Sequence, residues 1–206
     1  MSNENSFWVL YGQHSEPTFL EEAGNGQQEQ RDNSLRYVKK WRNAIDVGAN
    51  VGEWTRPLAK KFERVICFEP NPNFRECFCK NITESNVVLY PYGLSSHSHN
   101  AEQGTKDTHL NFVLGDTAPR DGDIECRALD SFDFTDIDYI KIDVDGFEIP
   151  VLKGAQETLR KNNPVVNIEM KQRKRPKIVS QCRTILYRLG YIPRLRTKSD
   201  EVWKKP

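Results

Sequence analysis

Residues 44–55 read AIDVGANVGEWT. An apolar run ends in Asp46, glycines follow at Gly48 and Gly52, and a helix is expected from about Trp54. Strand, glycine loop and helix start together form the opening of a nucleotide-binding α/β unit. A dinucleotide loop reads G-x-G-x-x-G, but counted from Gly48 its second and third glycine places hold Asn50 and Glu53. In that motif the second glycine lets the backbone approach a pyrophosphate, and the third permits close helix packing. Here Asn50 adds a side chain. Glu53 adds a negative charge at the helix N-terminus, where it competes with phosphate for the same partial positive charge. The loop therefore suits a nucleoside without phosphate and disfavours a nicotinamide dehydrogenase. Glu69 ends the next strand, about twenty residues on, where an acid takes the two free hydroxyls of a ribose. Together these features point to S-adenosyl-L-methionine.

The pattern continues outward from this loop. Trp54, Leu58 and Phe62 recur at four-residue spacing, and Pro57 fits because it falls in the helix's first turn. RVICFE is a second strand, NPNFRECFCKNI a helix and NVVLYPYG a third strand. The alternation then breaks over residues 93–128, where glycine turns separate short β-like runs such as HLNFVL and DIECRAL. This stretch reads as an inserted β-arm. IDYIKIDV resumes the core as a fourth strand, followed by one helix in IPVLKGAQETLRKN, a fifth strand in PVVNIEM and a helix in PKIVSQCRTILYRLG. YIPRLRT and EVWKK form a terminal strand pair. Residues 1–43 are an N-terminal extension to a domain spanning 44–206, with EEAGNGQQEQRDN as a loop and SLRYVKKW as a helical turn or two. Such alternation predicts an α/β domain with a mainly parallel sheet. Ligands bind beyond the carboxyl ends of such strands, which directs attention to 46–52, 69–73, 92–95, 143–148 and 169–171.

Composition narrows the function classes. The 206 residues suffice for one domain with a full core. Thirty Lys and Arg nearly balance 29 Asp and Glu, and a net charge of +1 argues against wholesale attraction to nucleic acid or membrane. No apolar run approaches the ~20 residues of a membrane helix, and no signal peptide opens the sequence. The five cysteines lack zinc-site spacing and suit reduced thiols in the cytoplasm.

DVGANVGEWT, FEPNP, LDSF and KIDVDGFEIPVLKGA, in this order and spacing over roughly residues 44–170, resemble the FkbM family of S-adenosylmethionine-dependent methyltransferases. The resemblance implies a class I methyltransferase (Rossmann-like) fold with a seven-stranded, mostly parallel sheet. It also implies methyl transfer to oxygen, often on a sugar, glycan or related small-molecule hydroxyl. By the same resemblance, the loop after Asp46 would wrap the methionine end of the cofactor through Gly48, Ala49, Asn50 and Gly52. Thr55 would help hold its carboxylate, and Glu69 its ribose, with Pro70 and Asn71 beside the adenosine. Gly93 and Leu94 would border the adenine, and Asp143 would face the methionine amino group or the sulfonium.

KIDVDGFE places Asp143, Asp145 and Glu148 between a buried strand and a helix start. Carboxylates at a helix's positive end account for one or two of them as caps. Three converging on the ligand crevice suggest catalysis, with Asp145 or Glu148 as the base for the acceptor hydroxyl or as its grip. A metal-assisted version would place a divalent ion between Asp143 and Glu169, though two carboxylates make a thin site. His97, His99 and His109 in the arm read as solvated loop histidines rather than as a metal site or base. The basic run KQRKRPK, residues 171–177, reads first as a solvated loop. Its place at the sheet's ligand edge keeps an RNA ribose or cap methyltransferase as the alternative, with Lys171 and Arg173 the residues to test. A non-catalytic methyltransferase-like binding module is a further alternative, disfavoured by the joint presence of Glu69 and Asp143.

Overall fold

The computed structural model describes residues 7–10, 17–20, 27–102, 113–114, 124–171, 173–197 and 199–206. Seven strands form the central sheet: β3 (Asn43–Val47), β4 (Arg64–Phe68), β5 (Val87–Tyr90), β10 (Ile137–Ile142), β11 (Val165–Glu169), β12 (Ile192–Arg196) and β13 (Asp200–Lys204). Their order is β12-β13-β11-β10-β3-β4-β5, and only β13 runs against its neighbours. This is the mostly parallel seven-stranded sheet expected from the sequence. From β3 the chain proceeds to β4 and β5 on one side, then returns to β10 and β11 on the other. The switch point therefore lies between β3 and β10, where a crevice opens at the strands' carboxyl ends.

Apolar β3, β4, β10 and β11 are buried on both faces, as parallel strands covered by helices must be. One face packs Ile45, Ile66, Ile140 and Ile168 under α4 (Glu148–Lys153), α5 (Gln156–Asn162) and α6 (Pro176–Arg188). The other packs Ala44, Val65, Tyr139 and Val202 under α1 (Gln28–Leu35) and α2 (Thr55–Ala59). Helix α3 (Pro72–Asn81) follows β4, and its Asn81 side chain bonds the main chain of Trp8 in the antiparallel pair β1 (Phe7–Leu10) and β2 (Pro17–Leu20).

The inserted region contributes β6 (Gly93–Leu94), β7 (His99–Glu102), β8 (Val113–Leu114) and β9 (Ile124–Arg127), a second sheet in the order β6-β9-β7-β8. His97 and His99 sit in this arm with ring centroids 4.8 Å apart, His97 exposed. His109 lies outside the described residues.

Two local expectations are corrected. Helix α1 occupies part of the stretch read as a loop and ends at Leu35, inside SLRYVKKW. Its residues carry no apolar stripe. It is held instead by tertiary contacts: the Ser34 hydroxyl lies 2.7 Å from that of Tyr139, and the Arg31 guanidinium lies over the Trp54 ring. The single helix expected over 149–162 is two, α4 and α5, parted at Gly154. A Cβ there would lie 1.9 Å from the Ser95 carbonyl oxygen, and the Asp130 N–H donates to the Gly154 carbonyl at 2.8 Å. The Asp130 carboxylate then accepts from the N–H groups of Glu157 (3.1 Å) and Thr158 (2.8 Å) and so caps the new helix.

Candidate active site

The β3 and β10 loops meet at Gly48. It has φ +74°, and a Cβ would lie 2.0 Å from the Asp143 carbonyl oxygen, so only glycine lets the two loops touch. Asn50 also takes a left-handed conformation, φ 50°, which asparagine tolerates better than most residues. Its N–H donates to Glu69 Oε2 at 2.9 Å, while the Asn71 N–H donates to Oε1 at 2.9 Å. Glu69 thus joins the first loop to the start of α3, where the Asn71 side chain caps the helix by accepting from the Asn73 N–H. Each carboxylate oxygen retains a free lone pair for a further donor. Burial is the main influence on Glu69 and raises its pKa to about 6 against the opposing pull of the two N–H bonds.

Gly48 lies at the junction of two hollows. One, of about 570 Å³, is polar and is lined by Ala49, Asn50, Glu53, Lys141, Asp143 and Asp145 among others. The other, of about 310 Å³, is apolar and includes Phe68, Pro70, Tyr92, Gly93 and Leu94. Of the residues expected to hold a cofactor, Gly48, Ala49, Asn50, Pro70, Gly93, Leu94 and Asp143 therefore line the crevice. Glu69 and Asn71 line neither hollow; Glu69 bonds the main chain of Asn50, which lines the polar one, and of Asn71, next to Pro70 in the apolar one.

Asp46, Thr55 and Gly52 act one layer back. Thr55 is corrected: it is fully buried and donates to Asp46 Oδ2 at 2.7 Å, so its hydroxyl is already committed and no surface remains to meet a ligand carboxylate. Gly52 answers a packing demand, since a Cβ would lie 2.7 Å from the Ile82 side chain.

Sequence reasoning missed Lys141. It is buried on β10, 3.2 Å from Asp46 Oδ1, and its ammonium donates to the Gly48 carbonyl at 2.8 Å. Burial works against its charge, but Asp46, Asp143 and Glu69 outweigh it and hold its pKa above the ordinary value. A lysine inside the apolar run YIKIDV was the available signal.

The three acids after β10 separate in role. Asp143 lines the polar hollow. Asp145, with φ 49°, also lines it and pairs with Lys171 at 3.0 Å. Glu148 is 3% exposed and accepts from the Gly146 N–H at 2.9 Å, so its carboxylate is turned onto its own loop. Burial raises its pKa. Lys171 also pairs with Glu169, at 2.8 Å. The charge set between Glu169 and Asp145 is thus an ammonium. Burial and the nearby Asp143 still raise the Glu169 pKa to about 7. The basic run is correspondingly divided. Lys171 faces the acids and Arg175 packs over Gly146, while Arg173, Lys174 and Lys177 are exposed.

The sequence matches the Methyltransferase FkbM domain family over residues 46–193, a span that includes every crevice loop described above. The chain belongs to the FkbM methyltransferase family. Solved structures agree on the fold. An FkbM methyltransferase from Methylobacillus flagellatus KT superposes with a TM-score of 0.58 at 20% identity, covering 83% of this chain. This chain spans about half of that protein, 47% of its length. A precorrin-6y C5,15-methyltransferase from Geobacter metallireducens GS-15 gives 0.58 at 12% identity, covering 89% of this chain and 90% of its own. A TehB-like SAM-dependent methyltransferase from Corynebacterium glutamicum ATCC 13032 Kitasato gives 0.53 at 13%, covering 89% and 91%. No curated protein matches the sequence. In the FkbM fold of this chain, no helix among the described residues is long and apolar enough to cross a membrane.

Proposed function

We propose that this FkbM methyltransferase transfers a methyl group from S-adenosyl-L-methionine to a hydroxyl of a sugar, glycan or related small molecule. The observation that carries the cofactor assignment is the two-part crevice joined at Gly48, with Glu69 bonded to the Asn50 and Asn71 N–H groups beside it. An adenine fits the apolar hollow beside Phe68, Pro70 and Leu94. The zwitterionic amino-acid end fits the polar hollow, where Asp143 faces its ammonium and Lys141 its carboxylate. The open lone pairs of Glu69 suit two ribose hydroxyls. S-adenosylmethionine, when bound, supplies an electrophilic methyl on its sulfonium sulfur.

The chain's own residues must hold the acceptor oxygen in line with that methyl and remove its proton. Positioning of this kind is worth up to ~7–11 kcal/mol of a barrier. Asp145 is the carboxylate we assign to the acceptor, because it reaches the polar hollow. Lys171 ties it to Glu169, whose own carboxyl burial raises to about 7. A base near the working pH is the efficient choice, and it contributes ~100- to 10,000-fold. The acceptor proton passes to this carboxylate pair, the methyl to the acceptor oxygen, and S-adenosylhomocysteine is left. Glu148 braces the loop that presents Asp145. Five free thiols suit a reducing compartment, which supports a cytoplasmic setting.

Calorimetric titration with S-adenosylhomocysteine tests the cofactor assignment. Wild type should bind and Glu69→Ala should not; absence of heat in the wild type overturns it. A panel of sugars, glycans, small alcohols and capped RNA incubated with methyl-labelled cofactor tests the acceptor. Label appearing only in RNA would replace the small-molecule reading.

A further inference from the structure

A second concavity lies where the segment after α1 meets the two terminal strands. Arg36, Lys39, Arg194, Lys204 and Lys205 line it together with Tyr37, around about 580 Å³. Five of the chain's 30 basic residues thus share one hollow, in a protein whose net charge is only +1. Pro206 completes the lining, and among the described residues no carboxylate side chain joins it. Elsewhere the molecule's cations are often matched, as Arg42 is with Asp138, Lys161 with Asp133 and Arg183 with Glu201. Among the described residues none of these five forms an ion pair.

The hollow is built by main-chain ties between three segments. Lys204 donates to the Tyr37 carbonyl, the Tyr37 hydroxyl donates to the Arg194 carbonyl at 3.2 Å, and Arg194 donates to the Lys205 carbonyl at 3.5 Å. These bonds fix the cations near one another without neutralising any of them. Lys204 accordingly has a pKa below the ordinary lysine value, from burial first and then from the repulsion of Lys39 and Arg194. Arg36, Lys39 and Arg194 remain exposed.

We propose that this hollow binds a compact phosphorylated anion, through adjacent phosphoryl groups such as those of an oligophosphate chain. Adjacent phosphoryl groups concentrate several negative charges and many acceptor oxygens within a few ångströms. Guanidinium forks pair two such oxygens at once, while ammonium groups act as point charges. A lone carboxylate would leave most of the five cations unanswered. A nucleic-acid strand needs cations spread along its path, whereas these converge from three segments on one hollow. The site is separate from the crevice, so it stands whether or not the acceptor reading holds.

The test is calorimetric titration of the full chain with inorganic tripolyphosphate and, separately, pyrophosphate, at constant ionic strength. Tripolyphosphate should bind with a Kd on the order of tens of µM and pyrophosphate more weakly. Arg36→Gln/Lys39→Gln, which alters two exposed side chains with no bond in the fold, should weaken binding about tenfold or more, as should Arg194→Gln. Binding should be unchanged in Glu69→Ala and at saturating S-adenosylhomocysteine, which separates this site from the crevice. No heat with either anion, or equal affinity in all variants, overturns the proposal. So does a single-stranded RNA oligomer that binds more tightly than tripolyphosphate, which would assign the hollow to a strand.

Discussion

At the scale of single residues, Glu69 and Lys141 hold the crevice by opposite means. In the proposed cofactor site Glu69 must be ionised to accept two ribose hydroxyls, yet burial raises its pKa to about 6. Affinity for S-adenosylhomocysteine should therefore rise as pH increases from 5 to 7, with its midpoint near the Glu69 pKa, and this rise should vanish in Glu69→Gln. Calorimetry across that range checks it. Lys141 neutralises the fully buried Asp46 and anchors the Gly48 carbonyl. Lys141→Met leaves an unmatched buried carboxylate, at a cost of about 3–5 kcal/mol in urea unfolding. Asp46→Asn/Lys141→Met should recover much of that loss, because no charge is then stranded. Full additivity of the two single losses would sink the idea that they act as a pair. Glu69 could be singled out from spacing alone, because a ribose acid is expected at a characteristic distance from a glycine loop. Lys141 could not, because its partners lie on another strand nearly a hundred residues away and are adjacent only through the sheet order.

At the scale of elements, the break between α4 and α5 shows how a distant segment edits a helix. Periodicity runs through 149–162 without interruption, but Gly154 must pass the Ser95 carbonyl, and Asp130 supplies the caps that the break exposes. Asp130→Ala should cost about 1–2 kcal/mol and speed hydrogen exchange at Glu157 and Thr158 first. Exchange accelerating uniformly over the chain would instead point to global destabilisation. Helix α1 was unreadable for a related reason. Its stability comes from Ser34 on Tyr139, Arg31 on Trp54 and the Trp54 indole N–H donating to Gln27, none of which leaves a periodic mark in its own sequence. The N-terminal extension thereby contributes Gln27 to the polar hollow.

At the scale of the whole molecule, the crevice imposes a pH signature on stability. A carboxyl whose folded pKa exceeds its unfolded value stabilises fully below the unfolded pKa, and the contribution is lost as pH rises through the folded one. For Glu69, raised from 4.5 to about 6, that window costs the ligand-free protein about 2 kcal/mol between roughly pH 4.5 and 6.5. Glu169, raised to about 7, extends the same trend upward. Chemical unfolding at a series of pH values should show a weaker protein at pH 7.5 than at 5.5 once ligand is absent, and a shallower fall in Glu69→Gln. A slope identical in wild type and variant would exclude Glu69 as its source.

The sequence by itself determined the parallel α/β sheet and the strand-end loops, and pointed to the proposed cofactor, because each is carried by local spacing. Alternating strands and helices, a loop with Asn50 and Glu53 in place of glycine, and an acid ending the next strand need no knowledge of distant contacts. Only the tertiary structure decided how these pieces share the work. It buried Thr55 behind Asp46, turned Glu148 onto its own loop, set Lys171 between Asp145 and Glu169, and gathered Arg36, Lys39, Arg194, Lys204 and Lys205 into one hollow. Side-chain direction and charge pairing depend on which strands become neighbours. That order, with β10 beside β3 and β13 inserted between β11 and β12, departs from the order of the chain.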